Sequence, residues 1–334
     1  MSPEFEHIVA SDGYRLFARH WRPSGVPRGF VVALHGIQSH SGWYEYSSSR
    51  LCEAGYDVLF LDRRGSGRNF SRRGDVSHGD RLINDVLQVL SDVRRERDRV
   101  APSAPIVLLA VSWGGKLAAI TAARSQLRFT PPGLSRRFIG LGTTEDSDRS
   151  RRAKANEPPG QAQWGETQHA AQRLELVDGL ALLYPGLCSR VQPTAWQRAR
   201  LNLARQLDVR HKRVEIPLND PALFTAESRW QEFIRNDPLV LREVTSGFLL
   251  AHQDLTHESL AAAPQIHCPT LLMLAGRDQI IDNEATKSWA RQLGTRELTL
   301  CEYPEAQHTL EFEPQPDRFV NDLVAWLQSI GDRA

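Results

Sequence analysis

The stretch Ile106–Lys116, with the sequence IVLLAVSWGGK, decides the fold of this chain. Its apolar run, rich in branched side chains, predicts a strand buried on both faces, and the segment Leu117–Ala123 continues with helix-forming residues. Ser112 therefore lies at a sharp turn between a strand and a helix. Such a turn needs small residues two positions before and after the serine, where the chain has Ala110 and Gly114. Ala110 in place of the first glycine of a G-x-S-x-G pattern is a mild departure.

Two other interpretations of this stretch are a serine without a role at the end of a strand and a phosphate-binding loop. The phosphate-binding loop is suggested by Gly115 and Lys116, but it requires a glycine at Ala110 and a Ser or Thr at Leu117, so it fails at both positions. The nucleophile interpretation of Ser112 holds only if a base, an acid and an oxyanion hole occur elsewhere in the chain.

The composition excludes several classes of function. The 334 residues can hold one large α/β domain with an elaboration, or two domains. A formal net charge of +1 argues against a general nucleic-acid role.

No apolar run approaches the roughly 20 residues of a membrane-spanning helix, and the N-terminus lacks an apolar signal core. We therefore expect a soluble, cytoplasmic protein without a cofactor or metal. The cysteines are scattered, which favours a reducing compartment; they are Cys52, Cys188, Cys268 and Cys301.

The first half of the chain alternates strands with helices. Residues 7–21 alternate as a hairpin does around an Asp-Gly turn, residues 29–36 and 56–61 are short apolar runs, and residues 80–100 have helical periodicity. This order predicts a mostly parallel sheet that is covered by helices on both faces.

The pattern breaks between about residues 125 and 175, which are rich in Arg, Pro, Gly and Gln. We prefer Val177–Tyr184 over Phe138–Gly142 as the next sheet strand because its apolar run is longer. The intervening segment is then an insertion on the scaffold, and both a structured lid and a disordered loop remain open.

From residue 186 to about 263 the periodicity is helical without sheet strands, with helices expected at 193–207 and 239–255. This region predicts a helical cap over the carboxyl edge of the sheet. The expected elements after it are strands at 269–276 and 297–301 and helices at 284–293 and 317–330. The predicted division of the chain is a first core part at 1–185, the cap at 186–264 and a second core part at 265–334.

Asp278 and His308 supply the acid and the base that Ser112 needs. Asp278 lies in AGRDQIID, just past the predicted strand that ends at Ala275, and His308 lies in PEAQHTL after the last predicted strand. Catalytic groups collect after strands in sheets of this kind. The chain order Ser, Asp, His is the one expected when such a turn carries a triad. Asp282 suits the helix-capping role that would otherwise explain Asp278.

Two backbone N–H groups are expected to form the oxyanion hole. One belongs to Trp113, directly after the serine, and the other belongs to Ile37, in the loop after the strand that ends at Leu34. We expect His35 to brace this loop rather than to act as a catalyst. His252, in the cap, is expected to be a surface or packing residue, and no cluster of metal ligands appears.

At this point the chain resembles the α/β-hydrolases of the monoacylglycerol lipase and lysophospholipase-like group. His35-Gly36 and the segment His40–Tyr44 are similar to the oxyanion loop of that group, and Asp62–Gly67 resembles its Gly-x-Gly turn. The triad Ser112, Asp278 and His308 and the oxyanion donors Ile37 and Trp113 match the positions of the group. The resemblance covers residues 7–124 and 177–330, although Trp113 replaces a smaller or flexible residue, which leaves the shape of the acyl pocket in doubt.

The resemblance implies an α/β-hydrolase fold with a mostly parallel eight-stranded sheet, flanking helices and a helical cap inserted after strand 6. It implies a serine hydrolase of carboxylic esters, most of all monoacylglycerols, that binds a small-molecule acyl ester. The alternatives are a lysophospholipase, a general carboxylesterase, a thioesterase, an aminopeptidase or a ligand-binding protein of the same fold. For the aminopeptidase, the cap carboxylates of Asp237, Glu243 and Glu258 could bind an α-ammonium group.

One cap helix is amphipathic and basic. Its apolar positions recur at helical spacing and arginines surround them, so the helix could lie on an anionic membrane surface or pack inward with its arginines in solvent. The first alternative adds a transient peripheral contact with membranes. The apolar residues are Trp196, Ala199, Leu203 and Leu207, and the arginines are Arg198, Arg200, Arg205 and Arg210.

Overall fold

The computed structural model describes residues 1–125, 176–192 and 194–332. The strands are β1 (Glu4–Val9), β2 (Arg15–Trp21), β3 (Gly29–Leu34), β4 (Tyr56–Leu61), β5 (Ile106–Val111), β6 (Gly179–Leu183), β7 (Arg213–Glu215), β8 (Glu243–Thr245), β9 (Thr270–Ala275) and β10 (Leu298–Tyr303). The α-helices are α1 (Glu45–Glu53), α2 (Gly79–Val100), α3 (Gly114–Ser125), α4 (Ala195–Gln206), α5 (Ser228–Asn236), α6 (Ser246–Ala261), α7 (Asn283–Ala290) and α8 (Asp317–Gly331). Short 3₁₀ turns lie at Ser41–Tyr44, Pro221–Leu223, Ala263–Gln265 and Leu310–Phe312.

Within these described ranges, eight strands form one sheet in the order β1-β2-β4-β3-β5-β6-β9-β10. The pairs β1–β2 and β2–β4 are antiparallel, and all the other neighbours are parallel. The elements from α4 to α6 are inserted between β6 and β9. The predicted α/β-hydrolase fold, with a mostly parallel eight-stranded sheet and an insertion after the sixth strand, is confirmed.

The central strands are buried on both faces, which explains why they are apolar without alternation. In β3, Phe30, Val32 and Leu34 pack into one apolar cluster, whereas Val31 and Ala33 pack into the other. The first cluster is shared with α2, α3 and α6, and the second is shared with α1 and α8. The predicted hairpin at 7–21 is present as β1 and β2, and the preferred run at 177–184 forms β6. The proposed insertion at 125–175, with the alternative strand at 138–142, lies outside the described residues, apart from residue 125 at the end of α3.

The expectation that the cap region lacks strands is wrong. β7 and β8 form a two-stranded antiparallel sheet, in which Val214 is opposite Val244. The helix expected at 239–255 begins only at Ser246, because Thr245 ends the strand and caps the helix by accepting a hydrogen bond from the N–H of Phe248 at 3.1 Å. The three-residue strands are too short to give a period-2 signal, so periodicity alone could not find them.

The last helix of the insertion, α6, packs against the helices that follow β4 and β5. Thr256 accepts a hydrogen bond from Lys116 of α3 at 3.0 Å, and Glu258 pairs with Arg124 of the same helix. Leu255 lies against Gly79 at the start of α2. Across the described residues, every helix is too short or too polar to traverse a bilayer.

Helix α4 buries none of its side chains against the described residues. Trp196 is 71% exposed and Leu207, which follows the helix, is 64% exposed. A capping box at Thr194 and Gln197 starts the helix. Leu201 and Ala204 are half-buried, and Arg205 pairs with Asp254 of α6. Both alternatives for this helix, packing inward and lying on a membrane surface, therefore stay predictions.

Glu311 is a carboxylic acid enclosed in the core. It lies in the 3₁₀ turn Leu310–Phe312 and is only 4% exposed, and its Oε1 accepts the N–H of Ser47, in the first turn of α1, at 2.9 Å. Burial raises the pKa of Glu311 to about 7, and the hydrogen bonds from Ser47 only partly oppose this effect. Glu311 therefore connects the loop between β10 and α8 to α1, and it keeps its proton up to a higher pH than an exposed glutamate does.

We expect Glu311→Gln to stabilise the protein increasingly as the pH rises from about 4.5 to about 7. The folded state holds a proton over this window that the unfolded chain has released, so the contribution of Glu311 is fully present below about 4.5 and is lost as the pH rises through 7. Urea unfolding at pH 5 and pH 8 measures the difference in unfolding free energy between wild type and variant.

The matched control is Glu305→Gln, on the exposed part of the same loop. The difference in unfolding free energy between Glu305→Gln and wild type should change far less between pH 5 and pH 8. A difference for Glu311→Gln that is equal at pH 5 and pH 8 would show that Glu311 ionises alike in the folded and unfolded chains.

Candidate active site

Ser112 lies at the apex of the turn between β5 and α3, with a φ of 49°. This left-handed backbone conformation is rare for a residue with a side chain, and it is strained. Gly114 permits the close approach that the turn requires, since a Cβ there would lie 2.8 Å from the carbonyl oxygen of His35. The carbonyl oxygen of Ser112 accepts hydrogen bonds from the N–H groups of Gly115 and Gly186 at 2.9 and 2.6 Å. The surrounding backbone thus holds the strained serine in place.

Asp278 and His308 meet Ser112 at the carboxyl edge of the sheet. Asp278 follows β9 and His308 follows β10, which are parallel neighbours in register. His308 Nε2 is 3.0 Å from Ser112 Oγ, and His308 Nδ1 is 2.7 Å from Asp278 Oδ2. The structure therefore brings together all three residues that the sequence predicted as a triad.

The acid and the base are held by groups outside the triad. The other carboxylate oxygen of Asp278 accepts the N–H groups of Ile280 and Ile281 at 2.8 and 2.9 Å, which fixes its orientation. The His308 ring is buried and packs edge-on against Tyr184 and Phe224, with ring centroids 4.8 and 5.8 Å away. The aromatic neighbours restrict the imidazole to the plane in which it can bridge the serine and the carboxylate.

The loop after β3 lies beside the serine. A Cβ on Gly36 would be 3.3 Å from the Cβ of Ser112, so only a glycine lets this loop come so close without displacing a neighbour. Among the described residues, the backbone N–H groups of Ile37 and Trp113 donate to no protein acceptor. One N–H group without a protein partner therefore lies on the turn of the serine, and the other lies on the loop beside it.

His35 braces this loop from beneath. Its Nε2 accepts the N–H of Arg63 at 2.8 Å, so Nδ1 carries the proton and donates to the carbonyl oxygen of Gly36 at 2.7 Å. Burial and the nearby Arg63 charge hold the pKa of His35 well below its usual range, which keeps the ring neutral. On the other side, Ser39 Oγ accepts the Gly36 N–H at 3.0 Å and contacts the hydroxyl of Tyr44 at 3.0 Å.

The side chain of Trp113 is enclosed. Its indole N–H donates to His252 Nδ1 at 2.7 Å, and its ring is stacked on Phe248, 5.4 Å away. Burial lowers the pKa of His252 to about 3, so this histidine is a neutral acceptor. His252 is therefore a packing residue behind the serine turn, within the expectation from the sequence.

The region between β6 and β9 contacts the loop after β3 through the carboxylate of Asp237 and the backbone of Leu241. Asp237 Oδ2 lies 2.8 Å from His40 Nε2 and accepts the indole N–H of Trp43 at 2.8 Å. These bonds keep the pKa of Asp237 below its usual value despite burial. Close by, the N–H of Leu241 donates to the carbonyl oxygen of Gln38 at 2.9 Å.

Sequence reasoning missed Arg63, Tyr184 and Phe224, which all lie close to the predicted site. Tyr184 has a weak signal, because it ends a predicted strand at the edge where catalytic groups collect. Phe224 comes from the cap and reaches His308 only through the fold. Within the described ranges, no group of three His, Cys, Asp or Glu side chains is arranged to hold a metal ion.

Comparison with known proteins places this geometry in a family. The family described as serine aminopeptidase, S33, matches residues 25–132 and 165–315. The chain is 34% identical to Homo sapiens monoglyceride lipase over 120 residues, which are 36% of this chain and 38% of that protein. It is 24% identical to Mus musculus monoglyceride lipase over 331 residues, which are 97% of this chain and 90% of that protein. The human match thus spans less than half of the relative's length.

A solved structure shows the same fold. The monoacylglycerol lipase of Paleococcus ferrophilus superposes with a TM-score of 0.69 at 20% sequence identity, over 94% of this chain and 99% of that one. The predicted likeness to monoacylglycerol lipases is therefore confirmed. Since the family match covers well over half of the residues, this chain belongs to the serine aminopeptidase S33 family of α/β-hydrolases.

Proposed function

We propose that the chain is a serine hydrolase that cleaves carboxylic esters through an acyl-enzyme. The observation that carries the proposal is the continuous hydrogen-bonded chain from Ser112 Oγ through His308 to Asp278, with distances of 3.0 and 2.7 Å. A serine hydroxyl is a weak nucleophile at neutral pH, and a base that is oriented by a carboxylate is the arrangement that activates it. The relatives named monoglyceride lipase support the ester as the bond cleaved.

In the proposed mechanism, His308 Nε2 takes the proton of Ser112 as Oγ attacks the ester carbonyl carbon. Asp278 stabilises the imidazolium and keeps Nδ1 protonated. The carbonyl oxygen becomes an oxyanion that the N–H groups of Ile37 and Trp113 hold. Collapse of this intermediate breaks the C–O bond, and His308 gives its proton to the leaving alcohol. Water, deprotonated by the same histidine, then releases the acid and restores the serine.

The cap carboxylates give little support to an aminopeptidase. An aminopeptidase needs a free carboxylate for the α-ammonium group of its substrate. Asp237 already contacts His40 and Trp43, and Glu258 pairs with Arg124. Glu243, in β8, is exposed. The three candidates are therefore engaged or turned to solvent, which favours an uncharged ester as the substrate.

We further propose monoacylglycerols as the ester class, with the cap at residues 186–264 as the part that selects the substrate. Support comes from the relatives named monoglyceride lipase and from a mostly buried cluster of aromatic side chains beside His308. Phe224 lies against the histidine, Trp43 is 5.9 Å from Phe224, and Trp230 stacks on Phe312 at 4.4 Å between ring centroids. These rings give His308 an apolar surrounding, which favours an apolar acyl group over a charged group beside the histidine.

The exposed face of α4 suggests that the enzyme docks on anionic membranes while it acts. Trp196, Leu203 and Leu207 are 71%, 54% and 64% exposed. Arg198 and Arg200 form no ion pair with the described residues, so their charges remain available to lipid head groups. A helix with an apolar face and free arginines binds the interface of an anionic bilayer.

We expect Ser112→Ala to lower kcat for ester hydrolysis by about 10⁴-fold or more, because the nucleophile is lost. Asp278→Asn should cost about 10⁴-fold, since the histidine then adopts the wrong tautomer. The measurement is steady-state hydrolysis of p-nitrophenyl butyrate.

Asp282→Asn is the matched control for the acid. Asp282 lies four residues further on and caps α7 by accepting the N–H of Ala285 at 3.0 Å, a role that asparagine also fills. Its kcat should stay near wild type. A Ser112→Ala protein that is folded and still active would exclude the proposed nucleophile.

We expect faster fatty-acid release from monooleoylglycerol than from lysophosphatidylcholine or a short-chain ester, each with Ser112→Ala as the blank. Turnover of the short ester alone would retain the triad and make the protein a carboxylesterase. Faster turnover of lysophosphatidylcholine would make it a lysophospholipase, and activity on an acyl thioester alone would make it a thioesterase.

We expect the double variant Trp196→Ser/Leu203→Ser to bind anionic vesicles several-fold less than wild type, because it removes apolar area from the interface. Co-sedimentation with vesicles of phosphatidylcholine and phosphatidylglycerol measures the bound fraction. Val26→Ser, which changes an exposed apolar residue between β2 and β3, is the control and should bind as wild type does. Binding that does not depend on the anionic lipid would rule out docking through these arginines.

A further inference from the structure

Arg63 is a buried cation that touches the loop after β3 and the residue after the serine. Its Nη1 and Nη2 groups donate to the carbonyl oxygens of Gly36 and Ile37, each at 3.1 Å. The face of the guanidinium lies 4.7 Å from the centroid of the Trp113 ring. No carboxylate of the described residues forms an ion pair with it. An arginine buried without such a partner is costly, so its position calls for an explanation.

The two hydrogen bonds fix the direction of an N–H group that Arg63 does not itself touch. The carbonyl of Gly36 and the N–H of Ile37 belong to the same planar peptide unit and point to opposite sides of it. Arg63 and His35 both donate to that carbonyl oxygen, at 3.1 and 2.7 Å. Turning the peptide would break both bonds, and polarising the carbonyl strengthens the N–H on the other side as a donor.

The second hydrogen bond of Arg63, to the carbonyl oxygen of Ile37, fixes the peptide unit that follows Ile37. Because the Ile37 carbonyl oxygen also accepts from Arg63, the peptide units before and after Ile37 are both held by one rigid guanidinium. Its planar fork can hold two acceptors at once, which a lysine ammonium on a flexible stem cannot do in the same fixed geometry.

Arg63 also holds the residue that carries the second free N–H group. The Trp113 ring contacts both the guanidinium and helix α6, where Phe248 stacks on it and His252 accepts its indole N–H. Arg63 is 5.3 Å from the Phe248 ring as well. A cation over aromatic faces is attracted by them, more strongly when water is excluded. Arg63, Phe248 and His252 together hold the Trp113 side chain in one position.

We propose that Arg63 is a positioning residue that aligns both N–H donors of the oxyanion hole, those of Ile37 and Trp113. The inference rests on the proposed function of Ser112 as a nucleophile. Burial lowers the pKa of Arg63 to about 9, so the guanidinium is still charged at neutral pH and adds a positive potential behind the donors. Arg63 acts before and during attack by holding the donors where the oxyanion forms, and it takes no part in proton transfer.

The test compares Arg63→Met and Arg63→Lys with wild type in hydrolysis of p-nitrophenyl butyrate. Removing one oxyanion donor typically lowers kcat by about 10²–10³-fold, and misaligning donors that remain present should lower kcat less, by about tenfold or more. KM should change little, since the donors act on the charge that develops in the transition state. Arg63→Lys should recover only part of the loss, because it keeps the charge but not the fork.

The control is Arg97→Met. Arg97 also donates to a main-chain carbonyl, that of Ala104 at 3.3 Å, but it lies near the end of α2 and away from the serine. Thermal unfolding of every variant shows which ones remain folded, and Arg63→Lys alone decides the question if Arg63→Met does not fold. Equal kcat in wild type and in the folded Arg63 variants would overturn the inference and assign Arg63 to packing alone.

A second measurement separates this inference from the proposed function. The rate of phosphonylation of Ser112 by a fluorophosphonate also depends on the oxyanion donors but requires no ester turnover. If wild type hydrolyses no ester, the proposed function fails, and slower labelling of the Arg63 variants than of Arg97→Met still supports the inference. Equal labelling rates would overturn it, as would a wild-type serine that is not labelled at all.

Discussion

The strained turn at Ser112 is the constraint on which the rest of the molecule depends. A φ of 49° costs an amount of order 1–3 kcal/mol for a residue with a side chain, and it persists only where the surroundings leave no alternative. The N–H of Ser112 donates to the carbonyl oxygen of Leu183 in β6, and its own carbonyl accepts from Gly186 beyond that strand. The neighbouring strand therefore determines the conformation of the serine, and the close approach leaves room only for glycine at Gly114.

The polar groups of the site are arranged so that each is oriented by a residue that does not itself react. Asp278 is held by two backbone N–H groups, and His308 is restrained by Tyr184 and Phe224. Because these groups are already oriented before the substrate binds, the dipoles of the site need not reorganise during the reaction. The site thus depends on several loops whose separations in the chain are large, and the parallel sheet brings their starting points to one edge.

Local signals in the sequence were enough to predict the sheet, the serine turn and the order of the triad residues. The hydrophobic runs and the small residues around Ser112 are constraints that act within a few positions, so a single sequence reveals them. The contacts of Arg63 with Gly36 and of His40 with Asp237 leave no such trace. His40 and Asp237 are 197 positions apart, and nothing near either residue indicates its partner. The small sheet of β7 and β8 was also missed. Its strands have three residues each, too few to show a period of two, and each strand is held by pairing with the other, which is distant in the chain.

The contact of Asp237 with the oxyanion loop makes one end of the cap a fixed end. Moving residues 237–241 outward would break the bonds to His40 and Trp43, the bond from Leu241 to Gln38, and the hydrogen bonds that Arg73 donates to the carbonyls of Leu239 and Val240. It would also disturb the loop that carries the Ile37 N–H. Helix α6 is joined to α3 as well, through Thr256 with Lys116 and Glu258 with Arg124, so displacing the whole inserted region from the sheet would have to break both sets of contacts.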